Sequence, residues 1–295
     1  MSGRNYPRLS VEEFGAHLLR SGDLDPVYIA LAHSGFERRQ TAQWLIAYWC
    51  FYHCGFASYA SDAPEPAVFW ARMATAAHNT EEAPPGGRWP RGHERRHFRG
   101  ANALKGLEGL VSRYAERPED MLTMLYGRDP WTVLPPQAPT VTLKDVMRQA
   151  QTHYGFGPWI GFKIADMLDR CLGAPVSFDQ GTVFMFDDPE KAALMLWRQK
   201  SRLPENAKPK DKAAVIEGVV SYLVDHFKDF RAPPFEDRPV NVQEVETILC
   251  KWKSHLNGHY PLNNDITEIN AGLSLWAPFS PAASRFLKSM PGGTS

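Results

Sequence analysis

The run TAQWLIAYWCFYHCGFASYA, residues 41–60, constrains the fold more than any other stretch. It is apolar almost all round a helical cylinder, and a helix of that kind has to be buried. Strand-like alternation is nearly absent from the chain, whereas helical spacing recurs. The further predicted helices cover 64–79, 103–115, 117–126, 187–199, 211–227 and 241–256. The pattern therefore predicts an all-α fold with a central buried helix over 41–60.

Local signals mark where helices start and stop. Ser10 and Glu13 form a capping box, and Asp25-Pro26 is typical of an N-cap followed by proline at the first helical position. Four prolines in 130–140 indicate a loop or linker, and 288–295 has the composition of a loose tail. A length of 295 residues suits one helical unit, or two helical subdomains around a cleft.

Charge and cysteine content narrow the functional classes. Lys plus Arg equals Asp plus Glu, so no overall basic field attracts nucleic acid, and any DNA binding has to use local patches. Cys50 and Cys54 would share a helix face, as a metal pair or as two buried thiols; the missing further ligands favour the thiols. Free cysteines, no secretory h-region and no long apolar run predict a cytoplasmic protein without a membrane partner.

A glycine turn divides a predicted helix pair within 142–173. Gly155 and Gly157 flank a phenylalanine, and Pro158 stands where the next helix would begin. The G-x-G-x-x-x-G spacing after a helix does not fit a dinucleotide fingerprint. Glycines allow a tight turn, and exposed amides at a helix start can hold a phosphate. An ordinary corner between two helices is the alternative.

This turn resembles the helix-hairpin-helix element with which DNA glycosylases grip the DNA backbone. In that superfamily an aspartate about twenty residues further on projects into the active-site cleft, and Asp179 lies twenty-two residues after Gly157. The resemblance implies a glycosylase-like fold with Asp179 as a catalytic residue, although an N-cap or surface role is also open. Trp159 stands where many backbone-cleaving members carry a nucleophilic lysine, and Lys163 would point elsewhere, so imine chemistry is not expected.

The segment RWPRGHERRHFRG, residues 88–100, which we call the arginine segment, concentrates positive charge. It holds five arginines and two histidines against one glutamate, a local excess of four positive charges in a neutral chain. If a helix begins near His93, Arg95 and Arg99 share a face, with Arg91 just ahead. Arginine forks chelate phosphate oxygens in two-point contacts. The segment therefore predicts a site for a pyrophosphate or several backbone phosphates, or else a solvated charged face.

Four stretches together resemble one family. These are DPVYIAL (25–31), AYWCFYHCGFASY (47–59), the arginine segment and LCKWKSHLNGHYP (249–261). They are similar to the α-glutamyl/putrescinyl thymine pyrophosphorylases, phage-type proteins also described as amino acid:DNA transferases. The resemblance covers roughly residues 10–270 and implies action on double-stranded DNA in an infected bacterial cell.

The resemblance implies a substrate and a division of tasks. The substrate is 5-pyrophosphoryloxymethyl-uracil in DNA, whose pyrophosphate is displaced by an amino acid or a polyamine, giving a hypermodified thymine. The target base is flipped out of the duplex. Asp179 is either the base that deprotonates the amine or an electrostatic stabiliser. No cofactor is required, although Mg²⁺ could accompany the pyrophosphate.

Candidate residues follow for each task. Pyrophosphate binding is assigned to Arg88, Arg91, His93, Arg95, Arg96, His97 and Arg99. Base stacking is assigned to Trp49, Tyr52 and Trp159, with core packing as the alternative for the first two. DNA binding is assigned to Gly155, Gly157, Lys251, Lys253 and His255; the lysines and histidine could instead bind the amino acid carboxylate or simply favour the end of their helix.

Two rival functions remain at this point. A DNA glycosylase that excises a modified base would keep the hairpin and Asp179, but it gives no reason for five clustered arginines. A non-catalytic helix-hairpin-helix protein would use the arginines as a backbone clamp, and the substitution Asp179→Asn would leave its function intact.

Overall fold

A computed structural model describes residues 6–133, 139–178, 186–201, 203–204, 206 and 209–292, and these residues form mostly helices. The two strands in these ranges, β1 (Val141–Thr142) and β2 (Val176–Ser177), have two residues each and pair in parallel. The predicted all-α class is confirmed, whereas the glycosylase-like arrangement stays a prediction. Across the same ranges, no helix combines the length and the apolar character needed to cross a membrane.

The first of two compact units comprises Met1–Pro26 and Phe178–Thr267. Its helices are α1 (Val11–Ser21), α10 (Asp187–Ser201), α11 (Lys212–His226) and α12 (Val242–Leu256). The predicted capping box of Ser10 and Glu13 begins α1, and Asn241 with Glu244 forms another at the start of α12. Each satisfies backbone N–H groups that a helix start leaves unpaired.

One apolar core holds the first unit together. Phe14 of α1, Leu196 of α10, Leu223 of α11 and Ile248 of α12 are all buried in it. Gly15 allows the closest approach, because a Cβ there would lie 2.4 Å from a ring carbon of Phe227. The four helices therefore share one core.

The second unit comprises Val27–Ser177 and Glu268–Ser295. Its elements are α2 (Pro26–Ala32), α3 (Arg38–Phe51), α4 (Cys54–Ser61), α5 (Pro66–His78), α6 (Gly100–Tyr114), α7 (Asp120–Tyr126), β1, α8 (Leu143–Ala150), α9 (Pro158–Leu172), β2 and α14 (Pro281–Lys288). The helix α13 (Asn264–Trp276) crosses the division between the units. The predicted tail over 288–295 lies partly outside the described residues.

The apolar run 41–60 forms two helices, so the prediction of one continuous helix is wrong. Tyr52 adopts a left-handed conformation, with φ of 52°, and ends α3. His53 is extended, and its Nδ1 accepts the backbone N–H of Phe56 at 3.1 Å, which caps α4. The break places a sharp corner, Tyr52–His53, between two buried helices. Gly55 in α4 accommodates Trp276, whose ring would lie 2.3 Å from a Cβ at that position.

Candidate active site

The arginine segment is a loop with one 3-10 turn, His93–Arg95, and α6 begins only at Gly100. The predicted helix start near His93 is therefore wrong. Arg99 is extended and Gly100 has a φ of +50°, so the backbone cannot run on as one helix. Consequently the side chains of Arg91, Arg95 and Arg99 do not line one helical face.

Arg95 is the buried anchor of the segment, with 1% of its surface exposed. Its Nε donates to the carbonyl of Cys50 at 3.1 Å, and its Nη1 donates to the carbonyl of Gly155 at 2.8 Å. The guanidinium lies 4.6 Å from the ring centre of Phe98 and 5.5 Å from that of Phe156. Its Nη2 is buried without a hydrogen-bond partner in the described part of the chain. Arg95 thus joins the end of α3 to the glycine turn and keeps one unused donor.

Arg91 is partly buried beside the same helix end. Its Nη2 donates to the carbonyl of Ala76 at 2.7 Å, and the guanidinium lies 5.1 Å from the ring centre of Phe51. Its Nε is buried with no acceptor among the residues that the structure describes. Burial, followed by the charge of Arg99, lowers the pKa of Arg91 to about 10. An anion between the two guanidinium groups would relieve this repulsion.

The other predicted pyrophosphate ligands are exposed: Arg88, His93, Arg96, His97 and Arg99. Arg96 Nη1 donates to His93 Nε2 at 2.5 Å. Partial burial, followed by the charges of Arg95 and Arg96, lowers the pKa of His97. His97 therefore stays neutral at physiological pH, while the arginines give the exposed part of the loop its positive charge.

Gly92 holds the arginine segment against the Tyr52–His53 corner. Its backbone N–H donates to the carbonyl of Phe51 at 2.9 Å. A Cβ at position 92 would lie 2.4 Å from the Tyr52 carbonyl oxygen and 2.9 Å from Tyr52 Cβ. A side chain at this position would force the backbones apart, so the contact requires glycine.

An aromatic row runs along α3 and ends at the corner. The rings of Trp44 and Tyr48 stack at 4.8 Å between centroids, those of Tyr48 and Tyr52 stack at 4.5 Å, and Trp159 meets Tyr52 edge-on at 5.0 Å. Tyr52 and Trp159, both predicted to stack on a base, are partly exposed and lie together. The row therefore has a buried end and an accessible end.

Trp49 lies in the core instead. None of its surface is exposed, and its indole N–H points to the sulfur of Met167 at 3.3 Å. The packing leaves no face of this ring accessible to a base, which corresponds to the core-packing alternative.

The predicted glycine turn lies between α8 and α9. Gly155 has a φ of +82°, and a Cβ there would lie 3.0 Å from the ring of Phe98. Gly157 is the N-cap of α9 and offers no capping side chain, and Pro158 follows at the first position. The backbone amides at this helix start are therefore not capped by a side chain of residue 157.

Lys163 lies one turn further along α9, next to a buried carboxylate. Its Nζ is 4.0 Å from Asp166 Oδ2, which also accepts the hydroxyl of Tyr28 at 2.7 Å. Arg170 completes the group, with Nη1 3.7 Å from the same oxygen. No local sequence pattern indicates the contact of Tyr28 with Asp166, because the two residues are far apart in the chain.

The predicted DNA-binding residues on α12 have structural partners within the first unit. Lys251 Nζ lies 2.7 Å from Asp265 Oδ2, and Lys253 Nζ lies 2.7 Å from Asp188 Oδ1. His255 is fully buried, and its Nδ1 lies 2.8 Å from the carbonyl oxygen of Tyr260. Lys253 keeps about a quarter of its side-chain surface exposed, more than Lys251 does.

Asp179, the predicted catalytic residue, lies outside the described residues. Cys50, Cys54 and Cys171 are buried, and burial raises the pKa of the Cys50 thiol to about 12. Within the described ranges, no three His, Cys, Asp or Glu side chains come together as ligands for a metal ion.

The corner also contains two residues that the sequence pattern missed. His53 caps α4 through Nδ1, and burial lowers its pKa to about 4, so the ring is neutral with its proton on Nε2. Glu94, the only acid of the arginine segment, has its Oε2 3.1 Å from the point that a Cβ at position 92 would occupy. The sequence signal for His53 is its position as a histidine within an apolar run.

The cationic arginine segment, the accessible pair of Tyr52 and Trp159 and the glycine turn between α8 and α9 thus lie in one unit. Comparison with known proteins identifies the class to which the protein belongs. Residues 13–260 match the family described as amino acid:DNA transferase, and the chain belongs to this family of transferases. It is 49% identical to a glycinyltransferase of Pseudomonas phage PaMx11 over 98% of both chains. It is 24% identical to a putrescinyltransferase of Delftia phage PhiW-14, over 86% of this chain and 75% of the relative.

Proposed function

We propose that this enzyme displaces pyrophosphate from 5-pyrophosphoryloxymethyl-uracil in double-stranded DNA with the amine of glycine, giving a hypermodified thymine. The observation that carries the proposal is the contact of the arginine segment with the Tyr52–His53 corner, which puts phosphate-binding groups beside an aromatic platform. Family membership supports amine transfer to DNA, and the relative named a glycinyltransferase supports glycine over putrescine.

The pyrophosphate site is assigned to the arginine segment. Arg91 and Arg95 each carry a buried N–H without a partner among the described residues, and such donors gain most from an incoming anion. Arg88, Arg96 and Arg99 are exposed and add charge and further donors, while His93 and His97 supply further polar contacts. Neutralising the charge that grows on the departing group would lower the barrier to departure.

The flipped base is assigned to Tyr52 and Trp159, whose rings form the accessible end of the aromatic row. Trp49 is left out of this assignment because it is fully buried. A base stacked there has the arginine segment as its neighbour, since Gly92 packs directly on Tyr52.

The DNA backbone is assigned to the turn at Gly155 and Gly157 and to the start of α9. The N-cap residue there offers no capping side chain, and backbone amides at a helix start can bind a phosphate. Lys253 is the more available of the two α12 lysines, and Lys251 would have to exchange its contact with Asp265. His255 is left out because it is buried.

The reaction proceeds by loss of pyrophosphate and gain of an amine at one carbon. The bond between the 5-methylene carbon and the pyrophosphate oxygen breaks, and the pyrophosphate takes the electron pair. The electrophilic exocyclic methylene that remains then accepts the nitrogen lone pair of the amine. Asp179 either takes the proton of the amine or stabilises positive character on the base.

The test is incubation of the protein with DNA containing 5-pyrophosphoryloxymethyl-uracil and, separately, glycine, glutamate or putrescine, followed by digestion to nucleosides and mass spectrometry. The proposal predicts a glycine adduct. No consumption of the base with any amine would refute transfer, and release of free base would indicate a glycosylase. Salt-dependent binding without chemistry would indicate a binding protein. Parallel reactions with Mg²⁺ and with a chelator test whether the ion accompanies the pyrophosphate.

A further inference from the structure

Glu94 is a carboxylate among arginines that forms no ion pair with any side chain in the described ranges. The neighbouring guanidinium groups donate hydrogen bonds to other acceptors. Arg95 donates to two backbone carbonyls, Arg91 donates to the carbonyl of Ala76, and Arg96 donates to His93. Glu94 is exposed, so its carboxylate is accessible to a solute. The Glu94 carboxylate is therefore not neutralised by an ion pair within the described ranges.

The Glu94 side chain lies close to Gly92. Its Oε2 lies 3.1 Å from the point where a Cβ of residue 92 would be, and Tyr52 Cβ lies 2.9 Å from the same point. The carboxylate oxygen and Tyr52 Cβ are therefore at most about 6 Å apart. Glu94 thus lies next to the residue assigned to the flipped base.

The negative charge of Glu94 also acts on the phenol of Tyr48. Burial raises its pKa well above the usual value, and the charges of Tyr52, Cys54 and Glu94 add to the effect. The hydroxyl end of the aromatic row and the Glu94 carboxylate are thus electrostatic neighbours, which agrees with the position deduced from Gly92.

The chemistry of the second substrate supplies a use for this carboxylate. Glycine and other amines carry an ammonium group at neutral pH, which the excess of arginines repels. A carboxylate beside an aromatic ring attracts an ammonium through its charge and through the ring face. The ammonium also has to lose a proton before its nitrogen can attack carbon.

We propose that Glu94 binds the ammonium group of the incoming amine and accepts its proton. This inference rests on the proposed function and names the residue that serves the second substrate. One N–H bond of the ammonium breaks, and its proton passes to Glu94. The freed lone pair forms the nitrogen–carbon bond to the exocyclic methylene, and the product keeps two N–H bonds as a secondary ammonium. Glu94 then releases the proton to solvent, and Asp179 keeps the task of stabilising charge on the base.

The test is the substitution Glu94→Gln, which keeps shape and removes charge. Initial rates are measured against glycine concentration at saturating pyrophosphorylated DNA, and DNA affinity is measured without glycine. We expect the KM for glycine to rise at least about tenfold, since a charge-assisted contact is lost, with DNA affinity unchanged. The control is Glu108→Gln, which removes an equal charge from an exposed position on α6; it should leave both quantities unchanged.

The acceptor role has its own readout. Methoxyamine is neutral at pH 7 and needs no proton acceptor before its nitrogen attacks. The substitution Glu94→Gln should therefore lower the rate of transfer less with methoxyamine than with glycine. An unchanged KM for glycine, or an equal loss with both amines, would overturn the assignment while leaving the proposed function intact. Absence of transfer by the unaltered enzyme with either amine would instead refute the proposed function.

Discussion

Arg95→Met should destabilise the protein, because Arg95 joins three backbone segments from a buried position. The change removes the hydrogen bonds to the carbonyls of Cys50 and Gly155 and leaves both acceptors without this donor. A hydrogen bond to a charged group contributes about 1.5–3 kcal/mol. Methionine recovers contact with Phe98 and Phe156 and removes the cost of burying a charge, so the expected net loss is about 3 kcal/mol.

The assay is urea unfolding followed by tryptophan fluorescence and circular dichroism. The free energies of unfolding of the variants are compared with the same dependence on urea concentration (the same m value). Arg96→Met is the matched control: it changes the next residue, which is exposed, and should alter the free energy of unfolding by no more than about 0.5 kcal/mol. Arg95→Lys keeps the charge but loses the fork geometry and should fall between the two. A loss below about 1 kcal/mol for Arg95→Met, or equal losses at positions 95 and 96, would refute the anchoring role.

Three further outcomes follow from the corner. Gly92→Ala should destabilise the protein by about 2 kcal/mol or more, because the new Cβ would lie 2.4 Å from the Tyr52 carbonyl oxygen. The control Gly272→Ala, whose new Cβ would have its nearest neighbour 3.7 Å away, should destabilise the protein less, and equal urea midpoints of the two variants would contradict the close contact at Gly92. His53 has a folded-state pKa of about 4, below the ordinary 6.5, so the free energy of unfolding should fall by up to about 3 kcal/mol as pH drops from 6.5 towards 4. His53→Asn keeps a capping oxygen and should flatten that part of the pH profile. An unchanged profile would contradict the burial of a neutral ring. Trp159→Ala should weaken binding of DNA with a flipped base by about 1–3 kcal/mol, measured by anisotropy, and an unaltered affinity would exclude stacking.

The helical class and most helix positions could be predicted from the sequence because they depend on local signals. The box at Ser10 and Glu13, the proline at position 158 and the apolar periodicity each act within one or two turns. The break in the run 41–60 was missed because hydrophobicity continues through it. What stops α3 is the left-handed Tyr52 and the capping ring of His53.

The candidate site was predictable in composition but not in arrangement. The sequence pattern indicated an anion site in the arginine segment, yet it could not reveal that Arg95 points inward to carbonyls of Cys50 and Gly155. Those contacts join residues 45 and 60 positions apart, beyond the reach of any local pattern. The burial of Trp49 favours its core-packing alternative, and helical spacing alone does not say which aromatic ring is buried.

The central claim is that one amine replaces one pyrophosphate on the same base, and the most direct measurement is the stoichiometry of a single turnover. Excess enzyme is mixed with DNA containing 5-pyrophosphoryloxymethyl-uracil and isotopically labelled glycine; released pyrophosphate and labelled nucleoside are quantified from the same samples over time. The account predicts that both appear at one rate and in equal amounts. Pyrophosphate released without incorporated glycine, or free base in place of a labelled nucleoside, would contradict it.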